Sequence, residues 1–318
     1  MALLGIDLGG TKLATAVFTE DGAMISEETV LVDGREGPAV GGLIAERLQK
    51  FLDEQALDGD DVRSIGICVP GISYQRSGTV WAPNIPGWDS YPLMQELRQT
   101  VRSIPIAIDS DRACYILGEL WEGVAQGCRD AIFMAVGTGI GAGILVDGKV
   151  LRGAHDIAGS IGWMGLESPY RDKYVECGHF ETYASGEGIP KFARELMSED
   201  DSYNGVLRAK PPGELVTLDV FDAYDQGDPI AEKIFRRCIE FWGMAVANLV
   251  SIFNPEKIIF GGGVFGPGIR FLPEIHAEAR KWAQPVAMRK VLIEPSSLGN
   301  HAGLFGAGLL AMRNLNGE

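Results

Sequence analysis

Three acidic residues stand at the ends of two apolar, strand-like runs, where a side chain could do chemistry. Asp109-Ser110-Asp111 follows Ile104-Pro-Ile-Ala-Ile108 and precedes a helix-like stretch over 111–124. Asp7 closes Leu3-Leu-Gly-Ile6 and runs into Gly9-Gly10-Thr11. A carboxylate in such a place can take a proton from a reacting group. It can also cap a helix or satisfy turn N–H groups, and Asp109 and Ser110 are open to that reading. A second Gly-Thr turn, Gly137-Thr138-Gly139, follows another apolar run, and Gly261-Gly262-Gly263 follows a third. Gly-rich turns of this kind present backbone N–H groups to phosphate without needing Lys or Arg. The Walker pattern G-x-x-x-x-G-K-[ST] does not occur.

These residues need a scaffold, and the sequence contains an echo of one. Residues 3–30 read as strand, Gly-Gly-Thr turn, strand, Asp21-Gly22 turn, strand, and residues 131–152 repeat the order with Gly137-Thr138 and Asp147-Gly148. Asp-Gly between apolar runs is a strong hairpin signal. Two such meanders suggest a duplicated domain, although two ordinary hairpins would look the same. Helical patterns cover 37–57, 91–103, 111–124, 186–198, 228–253, 268–283 and 302–313. Strands are expected at 64–71, 104–111, 257–265 and 290–296. Strands alternating with helices predict a sheet core covered on its faces. The expected division is a smaller domain over 1–110 with 302–318 returning to it, and a larger one over 111–301.

With 28 basic and 43 acidic residues, the chain of 318 carries a net charge of −15, which disfavours nucleic acid as a partner. Cys68, Cys114, Cys128, Cys177 and Cys238 form no C-x-x-C pair and read as free thiols of a reducing compartment. No signal-peptide pattern precedes Asp7, and the longest uncharged stretch, 131–146, falls short of the ~18 residues of a membrane span. A soluble cytoplasmic protein without membrane contact is expected.

Asp7-Leu-Gly-Gly-Thr-Lys12, Val136-Gly-Thr-Gly-Ile-Gly141 and Phe260-Gly-Gly-Gly263 together resemble the phosphate and adenosine motifs of the sugar kinase/actin-like ATPase superfamily. Val69-Pro-Gly71, Ala82-Pro-Asn-Ile-Pro-Gly-Trp88, Gly153-Ala-His-Asp-Ile-Ala-Gly159, Glu181-Thr-Tyr-Ala-Ser185 and Asn254-Pro255 point to its ROK branch of bacterial glucokinases and related kinases. The likeness spans nearly the whole chain in order. It implies two ribonuclease-H-like α/β domains around a cleft, ATP with Mg²⁺, a sugar substrate and a homodimer. It places Asp111 at the catalytic aspartate, with Gly9, Gly10, Thr11, Lys12, Gly137, Thr138 and Gly139 on phosphate. Gly261, Gly262 and Gly263 fall on adenosine, and Asn84, Ser110, Asp111, Ser160, Trp163 and Glu181 at the sugar. Asp7 would order magnesium through water or act as a turn residue. Lys12 would touch phosphate or stay solvated, and Asn84 would touch sugar or close an Asx-turn.

The departures from the family concern the sugar half. Where relatives carry Gly-Glu-Ile-Gly-His, this chain has Gly159-Ser-Ile-Gly-Trp163. Where they carry a Cys-x-Cys-Gly-x-x-Gly-Cys-x-Glu zinc loop, it has Cys177-Gly-His-Phe-Glu181, and Ser110 replaces the Asn before the catalytic Asp. No structural zinc is therefore expected, because a closed site needs four N or S ligands. The loop from 168 to 180 should be held by Tyr170, Tyr174 and Phe180. Trp163 reads equally as a core residue or as a stacking surface for a sugar. The alternative to a kinase is an actin-like nucleotide-binding protein that has lost sugar turnover. Retention of Asp111 and Glu181 favours the enzyme. The family's repressors carry an N-terminal helix-turn-helix, for which no room is expected ahead of Asp7.

Overall fold

The computed structural model describes residues 2–58 and 62–317. The chain opens with β1 (Ala2–Leu8), β2 (Lys12–Phe18), β3 (Met24–Leu31) and α1 (Pro38–Asp58). Next come β4 (Val62–Val69), β5 (Ile72–Tyr74), β6 (Thr79–Trp81), α2 (Leu93–Thr100), β7 (Ile106–Ser110) and α3 (Asp111–Glu122). A second series follows with β8 (Ala131–Val136), β9 (Ile140–Val146), β10 (Lys149–Val150), α4 (His179–Ala184), α5 (Gly188–Glu199), α6 (Thr217–Asp225) and α7 (Pro229–Phe253). The chain ends with β11 (Lys257–Gly261), α8 (Leu272–Trp282), α9 (Pro285–Met288), β12 (Leu292–Pro295) and α10 (Ala302–Leu315).

The first compact unit comprises Met1–Gly127, Val150–Ala158 and Ser297–Glu318. Its sheet has the order β3-β2-β1-β4-β7, antiparallel across the opening meander and parallel from β1 onward. Leu3, Leu4, Ile6 and Leu8 are all buried, as expected of an inner strand covered on both faces. The edge strand β3 carries the polar run Ser26-Glu-Glu-Thr29, which discourages further strand pairing. Helix α10 lies close on β4 and α3 because glycines leave room. A Cβ on Gly66 would overlap the Ala307 carbonyl, and one on Gly306 the Cys114 carbonyl. That packing draws α3 and 297–301 into this unit. The compact unit thus extends to Gly127, takes in Val150–Ala158 and resumes at Ser297, where the sequence reading put the boundaries at 110 and 302 and assigned 150–158 to the larger domain.

The second unit comprises Cys128–Lys149 and Gly159–Ser296. Its sheet has the order β10-β9-β8-β11-β12, with β8 antiparallel to β9 and parallel to β11, and β11 parallel to β12. The two sheets thus share one connectivity: a three-stranded meander, then two parallel strands beside its first strand. The echo in the sequence is a repeat in topology. Helix α7 anchors this core through Phe241 and Trp242, both fully buried. Asp228 caps its N-terminus, accepting from the N–H groups of Ile230 and Ala231 at 3.0 and 3.1 Å. Asn254 ends it with φ +46°, and Pro255 bars continuation. The motif Asn254-Pro255 is thus a helix stop. The β5–β6 hairpin and helices α4, α6 and α9 have periods too short for the sequence reading to show. Among the described residues no helix is long and apolar enough to cross a membrane.

Candidate active site

In the first unit three side chains form a row across β1, β4 and the edge strand β7. Asp7 on β1 is the register partner of Cys68 on β4, and Cys68 is the partner of Asp109 on β7. Burial pushes the Asp7 carboxyl up to about 6, while a hydrogen bond from the Cys68 thiol pulls the other way. Asp109 is only 3% exposed. Its Oδ2 accepts from Arg152 Nε at 3.0 Å and its Oδ1 from the Ser110 N–H at 2.8 Å. Burial still raises its pKa despite the Arg152 charge.

Asp111 opens α3, two residues further on. Ser110 Oγ caps that helix, accepting from the Ala113 N–H at 3.4 Å. Asp111 Oδ1 accepts from the Arg112 N–H at 2.8 Å. Burial pushes the Asp111 carboxyl up to about 6, the Arg112 charge lowers it, and Asp7 raises it again. The two acids in the Asp-Ser-Asp stretch therefore differ in kind. Asp109 is committed to Arg152, while Asp111 sits within electrostatic reach of a second raised carboxyl, Asp7.

The Gly9-Gly10-Thr11 turn between β1 and β2 is exposed, with the Gly9 N–H closing onto Lys12 O at 2.8 Å. Lys12 is exposed at the start of β2. A Cβ placed on Gly10 would lie 3.3 Å from Asn84 Nδ2, so the amide stands beside the glycine turn. The loop carrying Asn84 is closed by backbone bonds, Ala82 N–H to Trp88 O at 2.8 Å and Ile85 N–H to Ala82 O at 3.1 Å. Pro86 has no N–H, so Asn84 cannot close an Asx-turn onto it. Trp88 anchors this loop, buried, stacked on Tyr91 at 4.5 Å, with Nε1 donating to Gly37 O at 3.0 Å.

In the second unit, the turn Gly137-Thr138-Gly139 joins β8 and β9. It is braced by the next loop, as the Gly186 N–H donates to Gly137 O at 2.7 Å and the Glu187 N–H to Thr138 O at 3.2 Å. Gly262 follows β11 with φ +90°, and a Cβ there would run into the Val136 backbone. Gly137 and Gly263 have open space where a Cβ would be.

Glu181 on α4 reaches the same turn. Its Oε2 accepts from the Ile140 N–H at 2.6 Å, and Cβ atoms on Gly139 and Gly162 would lie 2.8 and 2.7 Å from it. Burial raises its pKa. Ser160 precedes and Trp163 ends the short turn Ile161–Trp163 that carries Gly162. Trp163 is 57% exposed, which rules out the core reading. Gly178, at φ +85°, lets the Cys177-Gly-His segment lie on the backbone of Gly162 and Trp163. Tyr174 and Phe180 are buried as expected, but Tyr170 is 68% exposed. Lys173 Nζ paired with Glu195 at 2.6 Å, and Tyr174 OH with Tyr183 OH at 3.1 Å, hold the loop in its place.

Sequence reasoning missed Gly186, Arg152 and Cys68. Gly186 directly follows the Glu181–Ser185 motif, where a glycine is itself a turn signal. Arg152 and Cys68 gave none, because their roles come from strand register and a distant pairing.

The chain matches the ROK family over residues 3–314. A glucokinase of Halalkalibacterium halodurans is 32% identical over 318 residues, covering 98% of this chain and 96% of that protein. A ROK hexokinase structure from Thermus thermophilus superposes with a TM-score of 0.81 at 28% identity, covering all of both chains. A ROK glucokinase from Streptomyces griseus, solved with glucose and AMPPNP, gives a TM-score of 0.76 at 29% identity over 98% of this chain and all of that one. Both units have the sheet order of the actin-like ATPase fold, and the chain belongs to the ROK family.

Proposed function

We propose that this chain transfers the terminal phosphoryl group of ATP to a hydroxyl of a hexose or hexose derivative. The single observation that carries the reading is the pair Asp7 and Asp111. Both are carboxyls raised to about 6 by burial, Asp7 near the end of β1 and Asp111 opening α3 directly after β7. Structural carboxylates are usually paired and lowered, whereas raised ones mark sites of proton transfer or cation binding.

Asp111 accepts the proton of the attacking hydroxyl. With a pKa of about 6 it is ionised at neutral pH yet basic enough to take part, which suits a general base. Asn84 and Glu181 hold sugar hydroxyls, and Ser110 supports the base by capping its helix. Gly9–Lys12 and Gly137–Gly139 offer N–H groups to the phosphate chain, with the open space at Gly137 and Gly263 leaving the backbone approachable. Gly261–Gly263 takes the adenosine side. Two buried carboxyls within electrostatic reach of each other suit a divalent cation, and Asp7 would hold Mg²⁺ through water. Bound magnesium supplies charge neutralisation on the phosphates.

The test is release of ADP from Mg-ATP across a sugar panel, read with a coupled assay. Turnover dependent on one sugar supports the reading. Nucleotide binding without sugar-dependent turnover would instead support an actin-like binding protein.

A further inference from the structure

Among the described residues, four that are not glycine have positive φ: Asp33, Asp147, Asp156 and Asn254. Asp147 sits in a hairpin turn and Asn254 ends α7. Asp33 lies in the turn after β3. Asp147 pairs with Arg129 in the same unit, whereas the side chain of Asp156, at φ +58°, ties to a backbone N–H 81 positions away. Its Oδ2 accepts from the Gln75 N–H at 3.1 Å.

Gln75 follows β5 and continues the path. Its Nε2 donates to Ile108 O at 2.9 Å, and Ser73 Oγ donates to the same carbonyl at 3.0 Å. One residue further along β7, Asp109 is held by Arg152, four positions before Asp156 in the chain. The segment 152–158 is folded on itself by the Ala158 N–H donating to Arg152 O at 3.0 Å. Arg152 and Asp156 therefore grip consecutive positions of the strand end, Asp109 directly and Ile108 through Gln75. Asp111 is the next residue but one.

We propose that Asp156 is a positioning residue for Asp111, acting with Gln75 and the Arg152–Asp109 pair as a strap that fixes the end of β7. This rests on Asp111 being the base. A left-handed backbone at a non-glycine residue persists only where its surroundings hold it. Here the tie to Gln75 supplies the hold. A base displaced by as little as ~1 Å can lose orders of magnitude in rate.

Two substitutions separate positioning from a merely structural turn. Glycine accepts φ +58° more readily than Asp, so Asp156→Gly relieves the backbone and deletes the carboxylate. Asparagine tolerates the same φ and keeps an oxygen acceptor for the Gln75 N–H. The expected result is kcat down about tenfold in Asp156→Gly, with KM for ATP within about twofold and Tm equal to wild type or higher. Asp156→Asn should return kcat to within about threefold of wild type. Unchanged kcat in Asp156→Gly would overturn the proposal, as would Asp156→Asn being as slow as Asp156→Gly. Asp111→Asn is measured alongside. Full turnover there would overturn the base and the strap together, whereas an inactive Asp111→Asn beside a fully active Asp156→Gly would overturn the strap alone.

Discussion

Asp7 lies against Gly303 in the first turn of α10, so closely that a Cβ on that glycine would collide with Asp7 Oδ2. The absent side chain lets a carboxylate sit at the start of a helix, where the unpaired N–H groups favour negative charge. Gly303→Ala should therefore push Asp7 off its position. The expected outcome is a rise of at least fivefold in the Mg²⁺ concentration for half-maximal activity, with KM for sugar little changed. An unaltered Mg²⁺ dependence would show that Asp7 has no part in holding the cation.

Asp111→Asn keeps the shape of the proposed base and removes its basicity. General-base catalysis is typically worth about 10²–10⁴-fold, so kcat should fall by about two decades or more while sugar affinity holds. Glu181→Gln should act differently. Glu181 is fixed by the Ile140 N–H and lies beside Gly139 and Gly162. Its loss should raise KM for sugar more than it lowers kcat. Steady-state kinetics of the two variants checks both, and more than a third of wild-type kcat in Asp111→Asn would refute the assignment.

The raised carboxyls also bear on stability. Each of Asp7 and Asp111 has an ordinary value of 3.8 and a folded value of about 6. A group that binds its proton more tightly when folded favours folding below the lower value, and that advantage is lost as pH rises through the upper one. At pH 8 each ionised carboxylate therefore costs up to about 3 kcal/mol. Asp7→Asn or Asp111→Asn should stabilise the metal-free protein by about 1–3 kcal/mol at pH 8, and the gain should vanish near pH 3.5. Urea unfolding at the two pH values measures it, and a destabilised variant at pH 8 would count against burial as the cause.

The sequence showed the elements with strong periods and the glycine turns between them. It paired the two meanders because Asp21-Gly22 and Asp147-Gly148 mark equivalent hairpins. It left Asp109 and Asp111 less clearly separated, since two carboxylates two residues apart look alike until a partner is seen. Arg152 comes from 43 positions away and pairs with Asp109, a tie that no local pattern announces. Trp163 was ambiguous for a similar reason, because a short Gly-rich turn has no period from which to read burial. Tyr170 was placed in the loop's core by composition, yet the neighbouring Lys173 and Tyr174 make the ties.

Those ties bear on metal content. Cys177 and His179 are two ligand types in one tripeptide, and His179 Nδ1 already accepts from the Leu166 N–H at 3.3 Å. The His179 ring is packed edge-on against Tyr174 at 4.7 Å and Phe241 at 5.0 Å. The protein should carry no tightly held zinc, and its melting temperature should not move when a strong chelator is added. Elemental analysis after chelation checks this. One retained zinc per chain would mean that other ligands complete a site around Cys177.

Under the proposed kinase reading, substrate choice would turn on Ser160 and Trp163. The family's Glu and His at these positions accept and donate bonds to sugar hydroxyls. Ser160 is shorter and neutral, and Trp163 offers one N–H and no acceptor. A site built to pair a hydroxyl can lose several kcal/mol when the pairing fails. Trp163 stands exposed beside the Gly162–Glu181 contact, where an indole face can cover an apolar sugar surface. Glucose should therefore be a poor substrate beside a deoxy, N-acylated or epimeric hexose. Trp163→Ala should raise KM for the preferred sugar by about tenfold while leaving KM for ATP unchanged. The measurement is kcat/KM for glucose, mannose, fructose, allose, N-acetylglucosamine and N-acetylmannosamine. Glucose coming out best, near 10⁵ M⁻¹s⁻¹ and so within the usual range for enzymes on their own substrates, would show that Glu181 and neighbouring groups replace the missing contacts. The kinase reading would stand in that case, and the specificity assigned to Trp163 would not.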